Sequence, residues 1–457
     1  MTMAEPAFTR AAAPGALPVL GHALHVLRDP LTFVSFLPSH GDLVEIRLGP
    51  QRMHMVCHPD LLQQVLTDDR TFDKGGPLFE RLRDFMGDGL ATCPYAVHRR
   101  RRRLAQPAFH HQRLEQYGAV MTRQLERMLE EWKDGQVLDL FPALSAFTLR
   151  TVSRSLFAAD LGEDRIDTIQ RSFVDVFSGA LPRMLVPDSL QRLPLPGNRR
   201  YREAARTLTD TVNQVIAEYR ENGTDQGDLM SMLLAARDED GSALSDQELR
   251  DEVVTLFVAG GETPAAVLSW AAVDLAAHPE SLRRLHEETD RVLAGRLPRW
   301  QDLPQLPYTA RVIDESMRRY PAGLLLTRTT SRETRLAGLT LPPGSTVAFS
   351  PLLLQTRPEY YHEPERFDPD RWLPDRALDM PRIAFAPFGS GARKCIGDAF
   401  AVAEMTLALA GMASRWTWER TTPTDLRPAL SPAAVRPRRV SLRLTARTPA
   451  PQAMKPL

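Results

Sequence analysis

Cys395 is the strongest candidate in the sequence for a reactive or metal-binding side chain. It lies in a glycine-rich segment, residues 388–397, directly before a predicted helix over 398–416. N–H groups at a helix start and the nearby Arg393 favour a negatively charged sulfur, and glycines let the backbone approach a flat cofactor closely. A haem iron held by such a thiolate gains electron density that promotes O–O cleavage. A buried structural cysteine is the alternative, and for an isolated cysteine it is the commoner case.

The residues around Cys395 favour the ligand. The run from Phe388 to Gly397 fits the pattern Phe-x-x-Gly-x-Arg-x-Cys-x-Gly at every fixed position, and by this pattern the chain resembles the cytochrome P-450 family in its soluble bacterial class. The resemblance implies a mainly α fold with a long central helix and a small β part. It also implies a thiolate-ligated haem b: Cys395 would ligate the iron, Arg393 would meet a propionate, Phe388 would pack beside the sulfur, and Gly397 would belong to the same cofactor-binding loop.

A second segment resembles the family's oxygen-activation motif, the run of residues 259–263 that ends in Glu262 and Thr263. Pro264 has no N–H, so the carbonyl of Gly260 loses its helical partner, and we expect the helix to open into a groove that could hold water. Thr263 would then hydrogen-bond dioxygen, and Glu262 would help to relay protons. A proline kink in a buried helix, without a catalytic role, is the alternative.

Glu315 and Arg318 stand three residues apart on a predicted helix, so they share one face. Alone, this pair would be an ordinary surface salt bridge. It resembles a pair that the family completes with an arginine from a later segment, and Phe367-Asp-Pro-Asp-Arg-Trp supplies Arg371 for that role. The resemblance therefore implies a buried structural network without catalytic function, and Arg366 lies in the wrong register to join it.

Three further residues are assigned to the haem by the resemblance. Arg328 stands where the family has an arginine that reaches a propionate, and His98 stands where many members carry a tryptophan. Arg102 follows His98 by one helical turn, so the two would share a face toward the haem. The resemblance also places an apolar substrate pocket at Leu78, Phe85, Met86, Leu90, Val258, Ala259, Leu324 and Leu325.

The elements that position these residues are mostly helical. Helical apolar spacing marks residues 61–66, 99–105, 119–132, 143–157 and 202–221, while residues 43–48 alternate as a strand that 52–56 should pair with. The clearest helix starts at a capping box of Ser245 and Glu248 and ends at His278-Pro279. About 32 residues give a rod of roughly 48 Å, long enough to cross a domain. We expect one domain over residues 1–457, with flexible ends at 1–15 and 448–457.

Composition narrows the class of partner. Basic and acidic residues number 57 each, so net charge favours neither nucleic acid nor an anionic membrane. The five consecutive arginines of residues 99–103 point in all directions on a helix, and the outward ones are expected to form a docking patch for an acidic electron donor. Three cysteines far apart fit a reducing cytoplasm, and the N-terminal region has no apolar run approaching the ~20 residues of a membrane span.

The implied activity is that of a monooxygenase that inserts one oxygen atom from O2 into an apolar small molecule. No flavin or nicotinamide segment follows residue 420, so electrons are expected from a separate ferredoxin and its ferredoxin reductase. Similarity to actinobacterial members that oxidise sesquiterpenes favours a terpenoid substrate of secondary metabolism, with fatty-acid, polyketide or cyclic-peptide oxidation as alternatives. A peroxide-using or isomerising enzyme of the same fold, a haem carrier or sensor, and a magnesium site at residues 238–240 also stay open.

Overall fold

A computed structural model of the protein describes residues 8–157, 163–184, 191–222, 227–376, 380–430 and 434–448. The helices in chain order are α1 (Ala23–Arg28), α2 (Pro30–Phe36), α3 (Pro59–Thr67), α4 (Pro77–Met86), α5 (Tyr95–Ala105), α6 (His111–Glu130), α7 (Leu140–Leu156), α8 (Glu163–Met184), α9 (Pro196–Asn222), α10 (Leu229–Ala235), α11 (Asp246–Ala277), α12 (Pro279–Leu293), α13 (Pro307–Arg319), α14 (Leu352–Gln355) and α15 (Asp398–Arg415).

The strands are short and lie in four sheets. They are β1 (Arg10–Ala12), β2 (Leu43–Leu48), β3 (Gln51–Val56), β4 (Phe72–Asp73), β5 (Val137–Asp139), β6 (Leu326–Thr330), β7 (Thr334–Leu336), β8 (Leu339–Leu341), β9 (Thr346–Phe349), β10 (Trp416–Arg420), β11 (Asp425–Leu430), β12 (Val435–Arg439) and β13 (Ser441–Ala446). The sheet orders are β1-β2-β3-β9-β6-β4, β10-β13-β5, β11-β12 and β7-β8.

The central helix α11 begins and ends where the sequence predicted, and it is 32 residues long. The Ser245 hydroxyl accepts the N–H of Glu248 at 3.2 Å, and the Glu248 carboxylate accepts the N–H of Ser245 at 2.8 Å. These two bonds satisfy orphan donors of the first turn. By length and hydropathy α11 could cross a membrane, but 78% of its most apolar window is buried inside the protein. A helix that is apolar on all sides and covered by protein is a core helix.

Each half of α11 packs in a different apolar cluster. Phe257 of the first half belongs to the cluster that includes Phe173 of α8 and residues of α7 and α9. Leu268 of the second half belongs to another cluster, with Val312 of α13 and Leu409 of α15. The central helix therefore ties the helices on one side of the molecule to those on the other.

The predicted strand pair is present: β2 and β3 are antiparallel, with Val44 opposite Met55. Residues 10–12 lie in the end expected to be flexible, but they pair with β2 as an edge strand; residues 1–7 and 449–457 lie outside the described residues. All five helices predicted from apolar spacing start earlier than expected, and the difference is largest for α6, at His111, and α9, at Pro196. In α6 the cause is that Leu114 and Tyr117 continue its buried face.

Candidate active site

Cys395 occupies a tight loop between β-rich and helical parts of the chain. Its N–H donates to the carbonyl of Phe388 at 2.9 Å, which closes the loop, and α15 begins three residues later with Gly397 as its N-cap. Gly391 has a φ of +69°, and a Cβ there would collide with the carbonyl oxygen of Leu66. Only glycine therefore allows this loop to pack against α3. Phe388 is half-buried against the cluster that contains the second half of α11.

The sulfur of Cys395 is accessible, whereas Cys57 and Cys93 are buried. Dense protein surroundings nevertheless raise the pKa of the Cys395 thiol by desolvation, against lowering contributions from the Gly397 N–H, Lys74 and Arg102. An accessible sulfur in such surroundings faces a cleft rather than bulk water. The raised pKa means that the protein alone leaves the thiol protonated, and a metal ion would supply the charge that removes the proton.

The sequence argument assigned the stabilisation of a thiolate partly to Arg393, and this is wrong in the structure. The Arg393 guanidinium donates to the Cys93 carbonyl at 2.8 Å and to Asp73 at 2.7 Å. Asp73 is the closer and charged partner, so it draws the guanidinium away from the sulfur. The positive side chains that lower the pKa of Cys395 are Lys74 and Arg102 instead.

The predicted oxygen-activation residues lie in the middle of the central helix, which continues as α-helix through Pro264. Ala259 is exposed although its helix neighbours Val258 and Phe257 are buried, and Thr263, one turn later on the same face, is half-buried. The Thr263 hydroxyl donates to the Ala259 carbonyl at 2.6 Å. These accessible positions mark one face of a covered helix, and the groove expected from Pro264 stays a prediction.

The two glycines of this motif allow close helix packing. A Cβ on Gly261 would collide with Leu149 of α7, and one on Gly260 would lie 3.0 Å from Val152. Their contact with α7 lets that helix pack closely against α11.

Glu262 has an arginine as a charged neighbour. Its carboxylate is buried and lies 3.7 Å from the Arg436 guanidinium of β12. Arg436 is itself held over the ring of Phe141, 4.4 Å from the centroid. The acid and the alcohol thus point to different sides of α11, and Arg436 is a neighbour that the sequence did not reveal.

A cluster of positive side chains surrounds the space beside the cysteine loop. Arg328 is buried, donates to the Thr327 carbonyl at 3.0 Å, and leaves its Nε without a partner. Burial, then the charge of Arg393, lowers the pKa of Arg328 to about 10. Desolvation, followed by Arg393, Lys74, Arg102 and Arg328, lowers the pKa of buried His98 to about 3.

These cations fit the two propionates of a haem. Repulsion among the cations favours a negative group between them, and the Nε of buried Arg328 has no hydrogen-bond partner. A buried donor of this kind is costly unless an acceptor is supplied. Asp69 and Asp73 supply part of the balancing charge, because they lie 3.7 and 2.7 Å from Arg393 and both oppose the lowering of the pKa of Arg328. Arg102 donates to the carbonyl of Lys394 at 2.5 Å, which fastens α5 to the cysteine loop.

Lys74 belongs to this cluster, and the sequence analysis missed it. Its ammonium donates to the Ala91 carbonyl at 2.7 Å and lies 5.5 Å from the centroid of the Phe79 ring. Desolvation, then Arg328 and Arg393, lowers the pKa of Lys74 to about 7. The sequence could have drawn attention to Lys74, because the chain has only 4 lysines among 57 basic residues and this one follows an Asp and precedes two glycines.

The expected structural network is assembled. Glu315 and Arg318 have no exposed surface, and their two side-chain hydrogen bonds are 2.9 and 2.8 Å long. Arg371 lies 3.6 Å from the Glu315 carboxylate. Arg366 instead pairs with Glu363 at the surface, 3.1 Å away.

The expected pocket residues fall into two groups. Phe85, Met86 and Val258 share one apolar cluster. Leu324 and Leu325 pack in a different cluster, with residues of the large sheet. Leu90 is buried beside the start of α11, and the side chain of Leu78 lies outside what the structure describes.

The arginine run does not form the free basic patch that the sequence analysis expected. Arg100 donates to Glu248 at 3.0 Å, Arg103 donates to Glu239 at 2.9 Å, and both also pair with Asp238. The turn at residues 238–240 folds back onto α5 and neutralises them. Asp238 and Glu239, two of the acids in the magnesium alternative, are engaged in these ion pairs. Among the described residues, no group of three or more potential metal-binding side chains occurs.

Comparison with known proteins finds a family profile and relatives that match most of the chain. The family profile described as Cytochrome P450 matches residues 12–443. The pentalenene oxygenase of Streptomyces avermitilis is 49% identical over 447 residues, which is 98% of this chain and 100% of that protein. The cyclooctatin synthase of Streptomyces melanosporofaciens is 44% identical, over 91% of both chains.

The fold has a counterpart among solved structures. The crystal structure of cytochrome P450DA heme domain superposes with a TM-score of 0.86 at 26% identity, covering 97% of this chain and 99% of that one. This likeness confirms the mainly α fold with a central helix and a small β part.

Proposed function

Because the chain belongs to the cytochrome P450 family, we propose that this haem-thiolate monooxygenase oxidises a terpenoid, with electrons from a separate ferredoxin and its reductase. The observation that carries the assignment is the arrangement around Cys395. An accessible sulfur stands in a loop closed onto Phe388, next to a cluster of cations in which the Nε of buried Arg328 has no acceptor. A thiolate-ligated haem with two propionates satisfies both features.

The residues that would hold the haem are Cys395 at the iron and Arg328, Arg393, His98, Arg102 and Lys74 around its propionates. When bound, the haem supplies reductive activation of O2, which thiolate ligation promotes. Burial and the surrounding cations lower the pKa of His98 to about 3, an effect that two propionates would oppose, and His98 is assigned a hydrogen bond to a propionate. The arginines supply positive charge, and Lys74, whose pKa is lowered to about 7 by burial and by Arg328 and Arg393, would gain charge beside a propionate.

Thr263 and Glu262 are assigned the proton chemistry. The Thr263 hydroxyl lies on the accessible face of α11 and holds its proton on Oγ1, which can turn from the Ala259 carbonyl toward the space beside that face. Glu262 is buried beside Arg436, so its carboxylate would exchange protons with water by a change of side-chain conformation. Both act through positioned proton transfer, which typically contributes 10²- to 10⁴-fold in rate.

The substrate class is inferred from the relatives and from the pocket. Pentalenene and cyclooctat-9-en-7-ol, after which two relatives are named, are terpenoids. The residues that the family places at the substrate are apolar, and Phe85, Met86 and Val258 already share one apolar cluster. An apolar wall orients a hydrocarbon by shape, since such a substrate offers few polar groups to bind.

The electron donor is inferred from the surface near Cys395. Arg99 and Lys394 are exposed on α5 and on the cysteine loop. Lys394 pairs with Asp398 at 2.5 Å, so an acidic ferredoxin would contact Arg99 directly and Lys394 in competition with Asp398. The three cysteines are free, which supports a reducing, cytoplasmic setting.

The test is the carbon monoxide difference spectrum of the dithionite-reduced protein, on wild type and on Cys395→Ser. We expect the long-wavelength Soret band of a thiolate complex in wild type and its loss in the variant. An intact wild type that binds haem without this band would overturn the assignment. A panel of terpenes, fatty acids and macrolides, screened for a low-to-high spin shift, then tests the substrate class, and a shift by fatty acids alone would overturn the terpenoid proposal.

A further inference from the structure

The loop at residues 87–93, between α4 and α5, is fastened to the first turns of α11 by two carboxylates. Asp251 accepts the N–H of Asp88 at 3.0 Å, and Glu252 accepts the N–H of Leu90 at 3.0 Å. Both carboxylates are buried, with 5% and 2% of their residues' surface exposed. Backbone donors bound to charged acceptors form strong hydrogen bonds in such surroundings.

The loop is shaped to fit these carboxylates. A Cβ on Gly87 would collide with the carboxylate of Asp251. One on Gly89 would collide with the Thr255 hydroxyl and lie 2.5 Å from the backbone oxygen of Asp251. Glycine at both positions is therefore what allows the loop to touch the helix.

The charge of Glu252 is matched from α5. Arg101 is buried, donates to Glu252 at 3.1 Å and lies 3.6 Å from Glu248. Asp251 accepts a further bond from Gln247 at 2.9 Å. Arg101 lies on the same helix as His98 and Arg102, so the contact joins three parts of the molecule: the loop, the central helix and the helix at the cofactor edge.

We propose that Asp251 and Glu252 are positioning residues for substrate: by holding the N–H groups of Asp88 and Leu90, they fix the pocket wall at Leu90 and so set which ligands fit beside the haem. The inference rests on the proposed function, because it takes the cleft next to Val258 and Ala259 as the substrate site. Val258 and Ala259 follow these carboxylates on α11 by about two turns, so one rigid helix sets both walls.

The test compares Asp251→Ala and Gly89→Ala with Asp88→Asn in the haem-loaded enzyme. Asp251→Ala deletes an acceptor, whereas Gly89→Ala pushes the loop off α11 and leaves both carboxylates in place. Asp88→Asn keeps the backbone donor and changes only an exposed side chain that lies 3.5 Å from Arg83. Hydrogen exchange of residues 87–93 and Soret titration with imidazole and with the bulkier phenylimidazole are measured for each.

We expect exchange to become about tenfold faster at Asp88 in Asp251→Ala and at Leu90 in Gly89→Ala, as for the loss of one hydrogen bond. In the same two variants, the ratio of phenylimidazole to imidazole affinity should change at least about threefold. Asp88→Asn should have the wild-type exchange rates and the wild-type affinity ratio. Faster exchange with an unchanged ratio would overturn the positioning role, and unchanged exchange would overturn the contact itself. Failure of the proposed function is distinguishable, because it would remove the thiolate band from the wild-type carbon monoxide spectrum.

Discussion

Glu315 and Arg318 form a two-point ion pair in which neither side chain has any exposed surface, with Nε–Oε2 and Nη2–Oε1 distances of 2.9 and 2.8 Å. The remaining guanidinium nitrogen donates to the Gln355 carbonyl at 2.8 Å, and Trp372 donates to Glu315 at 3.1 Å. The pair therefore joins α13 to the segment that precedes the cysteine loop. A charge pair without water around it is expensive to break on one side only.

Glu315→Gln should destabilise the holoenzyme by about 3–5 kcal/mol, because it leaves the Arg318 charge buried without its counter-ion. Urea unfolding followed by the Soret band and by tryptophan fluorescence measures this. Glu363→Gln, which removes the surface partner of Arg366, is the matched control and should cost at most about 1 kcal/mol. Equal effects of the two substitutions would contradict the buried network.

Thr263→Ala should leave haem and substrate binding intact and lower the share of electrons that reach product. The loss should be roughly tenfold, below the full effect of a positioned proton donor because water can fill the vacated space. Product and hydrogen peroxide formed per NADPH consumed measure the coupling, with the terpenoid that shifts the haem spectrum. Thr263→Ser keeps the hydroxyl and should retain most of the coupling; if it behaves like Thr263→Ala, the hydroxyl is not the active group.

Lys74→Met should weaken haem retention about tenfold, since one charged hydrogen bond to a propionate contributes about 1.5–3 kcal/mol. The rate of haem transfer to excess apomyoglobin measures this. Lys133→Met, at an exposed lysine on the surface, is the control and should not change the rate. If both variants release haem at the wild-type rate, Lys74 does not belong to the cofactor site.

Local sequence signals predicted much of this molecule. The capping box at Ser245, the strand pair around Val44 and the loop around Cys395 each depend on residues close together in the chain, and each is present as expected. Such features follow from hydrogen bonds and turn geometry that neighbouring residues determine.

Contacts between distant segments were harder to predict. The pairing of Arg393 with Asp73, of Glu262 with Arg436 and of Arg103 with Asp238 joins residues that lie more than a hundred positions apart in the sequence. In each pair at least one member was singled out from the sequence, but which two residues meet is determined by the tertiary fold. The sequence therefore indicated which residues could take part in chemistry, but the structure was needed to see which charges neutralise each other at the site.

Glu404 of α15 supplies a prediction about pH. It is completely buried, and neither carboxylate oxygen has a hydrogen-bond partner. Desolvation raises its pKa well above the usual 4.5, with only a contact to Thr151 opposing. The Thr151 hydroxyl already donates to the Phe147 carbonyl at 3.0 Å, so it offers Glu404 an acceptor, and a protonated carboxyl suits this site.

The folded protein therefore holds a proton on Glu404 that the unfolded chain releases above about pH 4.5. Between the unfolded and the folded pKa of this carboxyl group, unfolding releases its proton. The free energy of unfolding therefore falls as the pH rises through this range, by about 1.4 kcal/mol per pH unit.

Glu404→Gln places a neutral side chain of the same shape at this site and removes this pH dependence. The difference in unfolding free energy between variant and wild type should therefore grow in the variant's favour from pH 5 to pH 8, as measured by urea unfolding at each pH. Glu359→Gln, at an exposed site, is the control, and its free energy of unfolding should change with pH as that of wild type does. Parallel curves for Glu404→Gln as well would show that Glu404 is ionised in the folded protein and finds its partner elsewhere.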